Sequence, residues 1–277
     1  MRGRSIVRLL QALSCLLAPS LVLAQVSDDE NARAAIALEH GNKEVSVFTI
    51  RSAGPGGEEF RLVKKPVLKW SNPVRGSVHG DVYIWTLKGR PEVVGSFLEW
   101  FQPIQSKEVE LHSLSLAPLV AERPDHMSWT TNQPGVELKP IPGAPVPAAS
   151  PAQRLRQIRE LAKEFSARQV TPDGVEYEMR LLLQPIYRYE GTEGDLIDGA
   201  LFAIVHATDP EVFVQIEART VGGVGQWQYS LARFNSNLIA VSHRRREIWT
   251  APQIVPWTRV LDRRQPYATI MVGPNSP

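Results

Sequence analysis

The run from Gly80 to Trp100, GDVYIWTLKGRPEVVGSFLEW, constrains the fold more than any other stretch. Val82 to Leu87 is one run of strand formers and Pro91 to Phe101 is a second. Gly89-Arg90 between them reads as the turn of a β-hairpin. That turn pairs Leu87 with Glu92 and Trp85 with Val94. Tyr83, Trp85, Val94, Leu98 and Trp100 then share one face, and Val82, Ile84, Val93, Phe97 and Phe101 the other. Both faces are apolar, so the hairpin is expected to be covered on both sides, with Trp85 buried.

A related hairpin recurs at Gly199 to Arg219. An offset of 119 residues aligns 60–100 with 179–219 without a gap. Seven of these 41 positions are identical, against roughly two or three expected from composition. Arg61, Leu62, Pro66 and Gly80 meet Arg180, Leu181, Pro185 and Gly199, and Pro91-Glu92-Val93 meets Pro210-Glu211-Val212. Farther on, Trp129-Thr130 lines up with Trp249-Thr250 at 120. Two unrelated meanders share strand lengths and turn residues too. The common order and near-constant spacing favour an internal duplication. A unit with two apolar faces needs a second layer, which its copy can supply.

The rest of the chain fits this plan. Asp28 to His40 is expected to form a short helix stopped by Gly41, and Glu44 to Ile50 to alternate as a strand. Six prolines between Pro134 and Pro151 make a stiff, extended linker. Ser150 and Pro151 are cap and first residue of a helix whose stripe is Leu155, Ile158, Leu161, Ala162 and Phe165. Further strands follow, down to Tyr267–Val272. The expected fold class is α+β and predominantly antiparallel, two similar helix-plus-β-meander units packed together. Units at 25–133 and 151–251 flank the linker at 134–150, and a tail covers 252–277.

Residues 1–24 read as a secretory signal peptide: Arg2, Arg4 and Arg8, an apolar run from Leu9 to Leu23, then Val22-Leu23-Ala24 before Gln25. Cleavage near Ala24 predicts a periplasmic or secreted protein with no transmembrane segment. Setting the three arginines aside takes the formal charge from +2 to about −1, which gives no basic excess for nucleic acid. The single cysteine, Cys15, lies in the apolar run, so the exported chain has no thiol for a disulfide or metal. The six histidines show no metal-ligand spacing, and no cofactor is indicated.

The first unit carries a polar cluster that the second lacks. Trp70, Asn72, Arg75, Arg90 and His112 are its ligand-binding candidates, with His79, Asp81 and Ser113 nearby. Asn72 and Arg75 suit a polar or anionic ligand, and His112 suits proton transfer. The same residues also suit a structural reading, since Ser-Asn-Pro is a common turn and a lone histidine is usually hydrogen-bonded structure. Adjacent on a strand, His112 and Ser113 point to opposite faces and are not a nucleophile and its base.

The strings KKPVLKWSNPVRG, GDVYIWTLKGRPE, HSLS, HATDPEVFVQIEAR and YSLARFNSNL resemble an uncharacterised family of exported bacterial proteins. That resemblance implies export and a shared fold, and transfers no catalytic residue. The Gly89-Arg90-Pro91 turn is also similar to the opening hairpin of flavin-binding split barrels, without a matching set of phosphate-binding residues. The expected function is non-catalytic: binding of an unknown ligand or envelope partner, or a structural role. The alternative is a hydrolase or transferase using His112 with Asn72 and Arg75.

Overall fold

The computed structural model describes residues 18–124, 128–191 and 194–272, with side chains of the first helix described from Asp28. Most of the segment read as a signal peptide therefore lies outside the described residues. Helix α1 (Ala18–Ser46) is followed by β1 (Thr49–Ser52), β2 (Arg61–Leu62), β3 (Leu68–Ser71), β4 (Ser77–Leu87), β5 (Arg90–Gln102), β6 (Ser106–Ser113), β7 (Leu119–Glu122) and β8 (Ser128–Thr130). Next come β9 (Lys139–Pro140), α2 (Pro151–Ala162), β10 (Phe165–Val170), β11 (Glu176–Leu181), β12 (Tyr187–Tyr189), β13 (Leu196–His206) and β14 (Asp209–Val221). The chain closes with β15 (Val224–Arg233), β16 (Leu238–His243), β17 (Arg246–Ala251), a 3-10 helix (Trp257–Leu261) and β18 (Tyr267–Val272). Every strand pairing is antiparallel.

The central hairpin is present, one residue away from its expected register. The turn is Lys88-Gly89, with φ of 49° and 88°, so Leu87 pairs with Arg90. A two-residue hairpin with both φ values positive matches the strand twist, and Gly89 supplies the position at low cost. A bulge then makes Glu92 the extra residue, because Thr86 pairs with Pro91 and Trp85 with Val93. The shift exchanges the second strand's faces. Tyr83 and Trp85 pack with Val93 and Phe97, while Val82 and Ile84 pack with Val94 and Leu98. Both faces are covered, and Trp85 is fully buried.

The second hairpin uses the same pairings. His206 pairs with Asp209, Val205 with Pro210 and Ile204 with Val212, so Glu211 is the extra residue there. Strands β4 and β13 each have 11 residues, and β5 and β14 each have 13. Arg61 pairs with Thr86 as Arg180 pairs with Val205. The Trp70 ring lies so close over Gly80 that a Cβ there would stand 2.1 Å from it. Tyr189 covers Gly199 in the same way, with a Cβ 2.4 Å from the ring.

Three apolar layers hold the molecule. Residues of β4, β5 and β6 pack on one side under α1, β1 and β7, and residues of β13, β14 and β15 pack under α2, β10 and β16. Between them the two long hairpins face each other across a shared core that joins Ile84, Val94 and Leu98 to Leu201, Phe213 and Phe234. Two short segments cross between the halves. Strand β9, from the proline-rich linker, pairs with β15, and β18, from the tail, pairs with β6.

Two local expectations change. Gly41 does not stop α1, which continues through Ser46 and displaces the strand expected from Glu44. At Gly41 an added Cβ would touch Phe97 at 3.0 Å, so glycine permits the helix to lie close on β5. Helix α2 starts as expected, with Ser150 Oγ accepting from the Gln153 amide. It ends at Ala162, and Phe165 begins a strand pairing with β16. No helix among the described residues is long and apolar enough to cross a membrane.

Candidate functional site

Alternation places the charges of the two hairpins. On β14, Val212, Val214, Ile216 and Ala218 enter the core under α2, which turns Glu211, Phe213, Gln215 and Glu217 toward the first half. On β6, Val109 and Leu111 enter the core under α1, which leaves Glu108, Glu110 and His112 on the side of the second half. The interface therefore carries buried carboxyl groups, and its two ends treat them differently.

At one end Arg90 is enclosed. Its Nε donates to Glu217 Oε1 at 2.8 Å, and its Nη1 donates to Glu92 Oε1 at 2.9 Å and to the Leu114 carbonyl at 3.0 Å. Glu217 also accepts from Tyr189 Oη at 2.9 Å and from Arg219 Nη1 at 2.6 Å. Burial alone would weaken the Arg90 charge, but Glu217 and Glu92 outweigh it and hold the guanidinium ionised. This candidate is a cross-link between the halves, with its donors already occupied.

At the other end a cleft of about 390 Å³ opens between the halves. Four acids line it: Glu108 and Glu110 of β6, and Asp209 and Glu211 at the start of β14. The rings of Trp70, Trp100, Phe234, Trp257 and Tyr267 form much of the wall. Arg75 is the one basic residue among the lining side chains. Its Nη1 is 3.9 Å from Asp209 Oδ2 and its Nη2 is 3.8 Å from Glu211 Oε1, and its side chain is 39% exposed. Those separations are beyond hydrogen bonding, so Arg75 compensates the acids only in part.

Direct hydrogen bonds fix the acids from behind. Asn72 Nδ2 donates to Asp209 Oδ2 at 3.1 Å, Asn235 Nδ2 donates to Glu211 Oε2, and Tyr267 Oη donates to Glu110 Oε1 at 2.8 Å. Two buried acceptors, Asn72 Oδ1 and Glu211 Oε1, receive no hydrogen bond. Burial pushes Asp209 up to about 6, and burial with the Asp209 charge pushes Glu211 up to about 8. Glu110 is held well above the ordinary carboxyl range, first by burial and then by Asp209. The cleft thus resists holding negative charge in the absence of an added cation.

The structure brings Trp70, Asn72 and Arg75 together, with Asn72 wedged under the cleft rather than lining it. Arg90 lies in the enclosed network, and His112 lines a separate cavity of about 300 Å³ with Arg233 and Ile254. The shared cleft expected for Asn72, Arg75 and His112 is therefore not formed, because β6 turns His112 toward the other side of Tyr267. His112 is buried with Nδ1 2.8 Å from the Ser113 carbonyl, and burial lowers it to about 4. It is uncharged at neutral pH. Among the described residues, no group of three or more His, Cys, Asp or Glu is placed to hold a metal ion.

Sequence reasoning passed over the four acids. Two signals pointed to them: the alternation of KEVELHS, and an aspartate, Asp209, where the first hairpin has Arg90. Compared with models of known protein families, with curated proteins and with solved structures, the chain matches none.

Proposed function

We propose that this chain is an exported, non-catalytic binding protein of the bacterial envelope or extracellular space, and that the cleft between its halves is its ligand site. The observation that carries the reading is the composition of that cleft: five aromatic rings and four acids, drawn from both halves, around about 390 Å³. Concave sites lined by aromatic rings with a few placed polar groups are the usual form of small-molecule sites. Export is supported by the basic start and apolar run, and by the resemblance to an exported family. We take the two halves as an internal duplication, supported by the matched bulges at Glu92 and Glu211.

Tryptophan fluorescence tests the binding reading, because Trp70, Trp100 and Trp257 line the cleft. Titration of the exported protein with amines, sugars and carboxylates is expected to give one saturable change, shifted to severalfold higher concentration in Trp257→Ala. No saturable change with any class, or one unaffected by Trp257→Ala, would contradict the assignment.

One observation favours a second reading. Burial raises both Asp209 and Glu211, and the Asp209 charge raises Glu211 further, so the two acids sit in unlike environments, as acid–base catalysis requires. This is a hydrolase reading that relies on neither His112 nor a nucleophile. Product appearing from a bound ester or glycoside would favour it over simple binding.

A further inference from the structure

Arg90 and Asp209 occupy corresponding places: each opens the second strand of its hairpin, opposite the last residue of the first. Two residues on, Glu92 and Glu211 are both bulge residues turned into the interface. Glu92 receives the Arg90 guanidinium at 2.9 Å. Glu211, 1% exposed, has Asp209 where that cation would be, and its Oε1 receives no hydrogen bond. Instead of a buried guanidinium there is a cavity lined by acids and by three tryptophans.

Resting on the reading of this cleft as a binding site, we propose that its ligand is a small organic ammonium ion, seated where Arg90 sits at the opposite end. Three features of the cleft select that class. The cleft gathers four carboxyl groups and a single base among its described lining residues, so a ligand that lets the acids ionise must itself be a cation. Trp70, Trp100 and Trp257 line the cleft, and indole is the best aromatic partner for an ammonium group. Glu211 Oε1 receives no hydrogen bond, with Arg75 Nη2 no nearer than 3.8 Å.

The charge balance has a thermodynamic consequence. Facing Glu211 are Asp209 from its own strand, Arg75 from the loop after β3, Glu108 and Glu110 from β6, Tyr267 from β18, and the amides of Asn235 and Gln169. Burial keeps protons on this group near neutrality. A bound cation favours the ionised acids, so binding expels protons and affinity rises with pH. Release of one proton corresponds to about tenfold in affinity per pH unit within the titrating range.

Calorimetry with the exported chain tests this, using 1,4-diaminobutane and choline, methyl β-glucoside as a neutral probe and citrate as an anion. Buffers of different ionisation enthalpy count the protons. At least one amine is expected to bind, with proton release and with affinity rising roughly tenfold from pH 6 to 7. Glu211→Gln should weaken that amine tenfold or more and reduce the proton count. Trp257→Ala, at a half-exposed position that leaves the fold intact, should weaken it severalfold. Asp81→Asn removes a buried acid outside the cleft and should change neither. Binding of glucoside or citrate but neither amine would overturn the cation assignment and leave the binding reading standing. Amine binding without proton release, or unchanged in both cleft variants, would likewise overturn it. No binding by any probe would remove both.

Discussion

The interface between the two hairpins has one end closed by Arg90 and one end left open beside Asp209. The closed end shows how buried carboxyl groups are tolerated. Glu217 and Glu92 each receive a guanidinium hydrogen bond shorter than 3 Å, and Tyr189 and Arg219 take up further lone pairs on Glu217. The open end has comparable acids on comparable strands. Among the described residues its only lining cation is Arg75, 39% exposed and nearly 4 Å away. Proton uptake does there what an ion pair does at the other end. Matched hairpin pairings thus carry a guanidinium at the closed end and a carboxyl group at the open one.

The largest expected effect breaks the closed end. Arg90→Met leaves Glu217 and Glu92 buried without their shared cation, and breaking such a pair costs about 3–5 kcal/mol. A urea melt at pH 7 measures it. A loss under about 1 kcal/mol would mean the network is not holding the halves together.

The next effect reads the open end through pH. Glu211 is raised to about 8 from an ordinary 4.5. Between those values the folded chain keeps a proton that the unfolded chain has released. Folding stability therefore falls as pH rises from about 4.5 to 8, then levels off. Asp209 adds to the same trend between its ordinary 3.8 and about 6. Glu211→Gln removes its share, so urea melts across this range should give a shallower slope and a variant more stable than the parent at pH 8. An unchanged slope would place the titration elsewhere.

Smaller effects sharpen the contrast. Tyr189→Phe deletes one donor to Glu217 at the closed end and should cost about 1–2 kcal/mol. Arg75→Ala removes an exposed, distant cation and should cost about 0–1 kcal/mol while raising the midpoint of the Asp209 and Glu211 titration. If Arg75 proved the costlier loss, the two ends would not differ as described.

Much of this arrangement was legible in the residues, and the reasons for the misses are local. Strand-forming runs and the Gly-containing turn located the first hairpin, the 119-residue repeat located the second, and the Ser150-Pro151 cap located α2. The register was missed because Lys88 adopts a positive φ and Glu92 forms a bulge, neither of which a lysine or a glutamate announces. Helix α1 outruns Gly41 because close packing on Phe97 favours the glycine there, a tertiary cause. Trp70, Asn72 and Arg75 stood out because the first unit carries a polar cluster that the second lacks. Arg90 and His112 stood out too, but burial turned one into a cross-link and sent the other into a different cavity. The cleft acids went unseen because each is ordinary on its own strand, and only the meeting of β6 with β14 gathers them.

The central claim is that the open end is the closed end without its cation. Asp209→Arg tests it most directly, by placing a guanidinium at the position Arg90 holds in the other hairpin. A urea melt at pH 8 should show a gain of about 1.5–3 kcal/mol, the range for hydrogen bonds to charged groups, and the fall in stability from pH 4.5 to 8 should largely disappear. A loss of stability at pH 8 with the pH slope intact would contradict the account, because the cleft would then have no place for a cation.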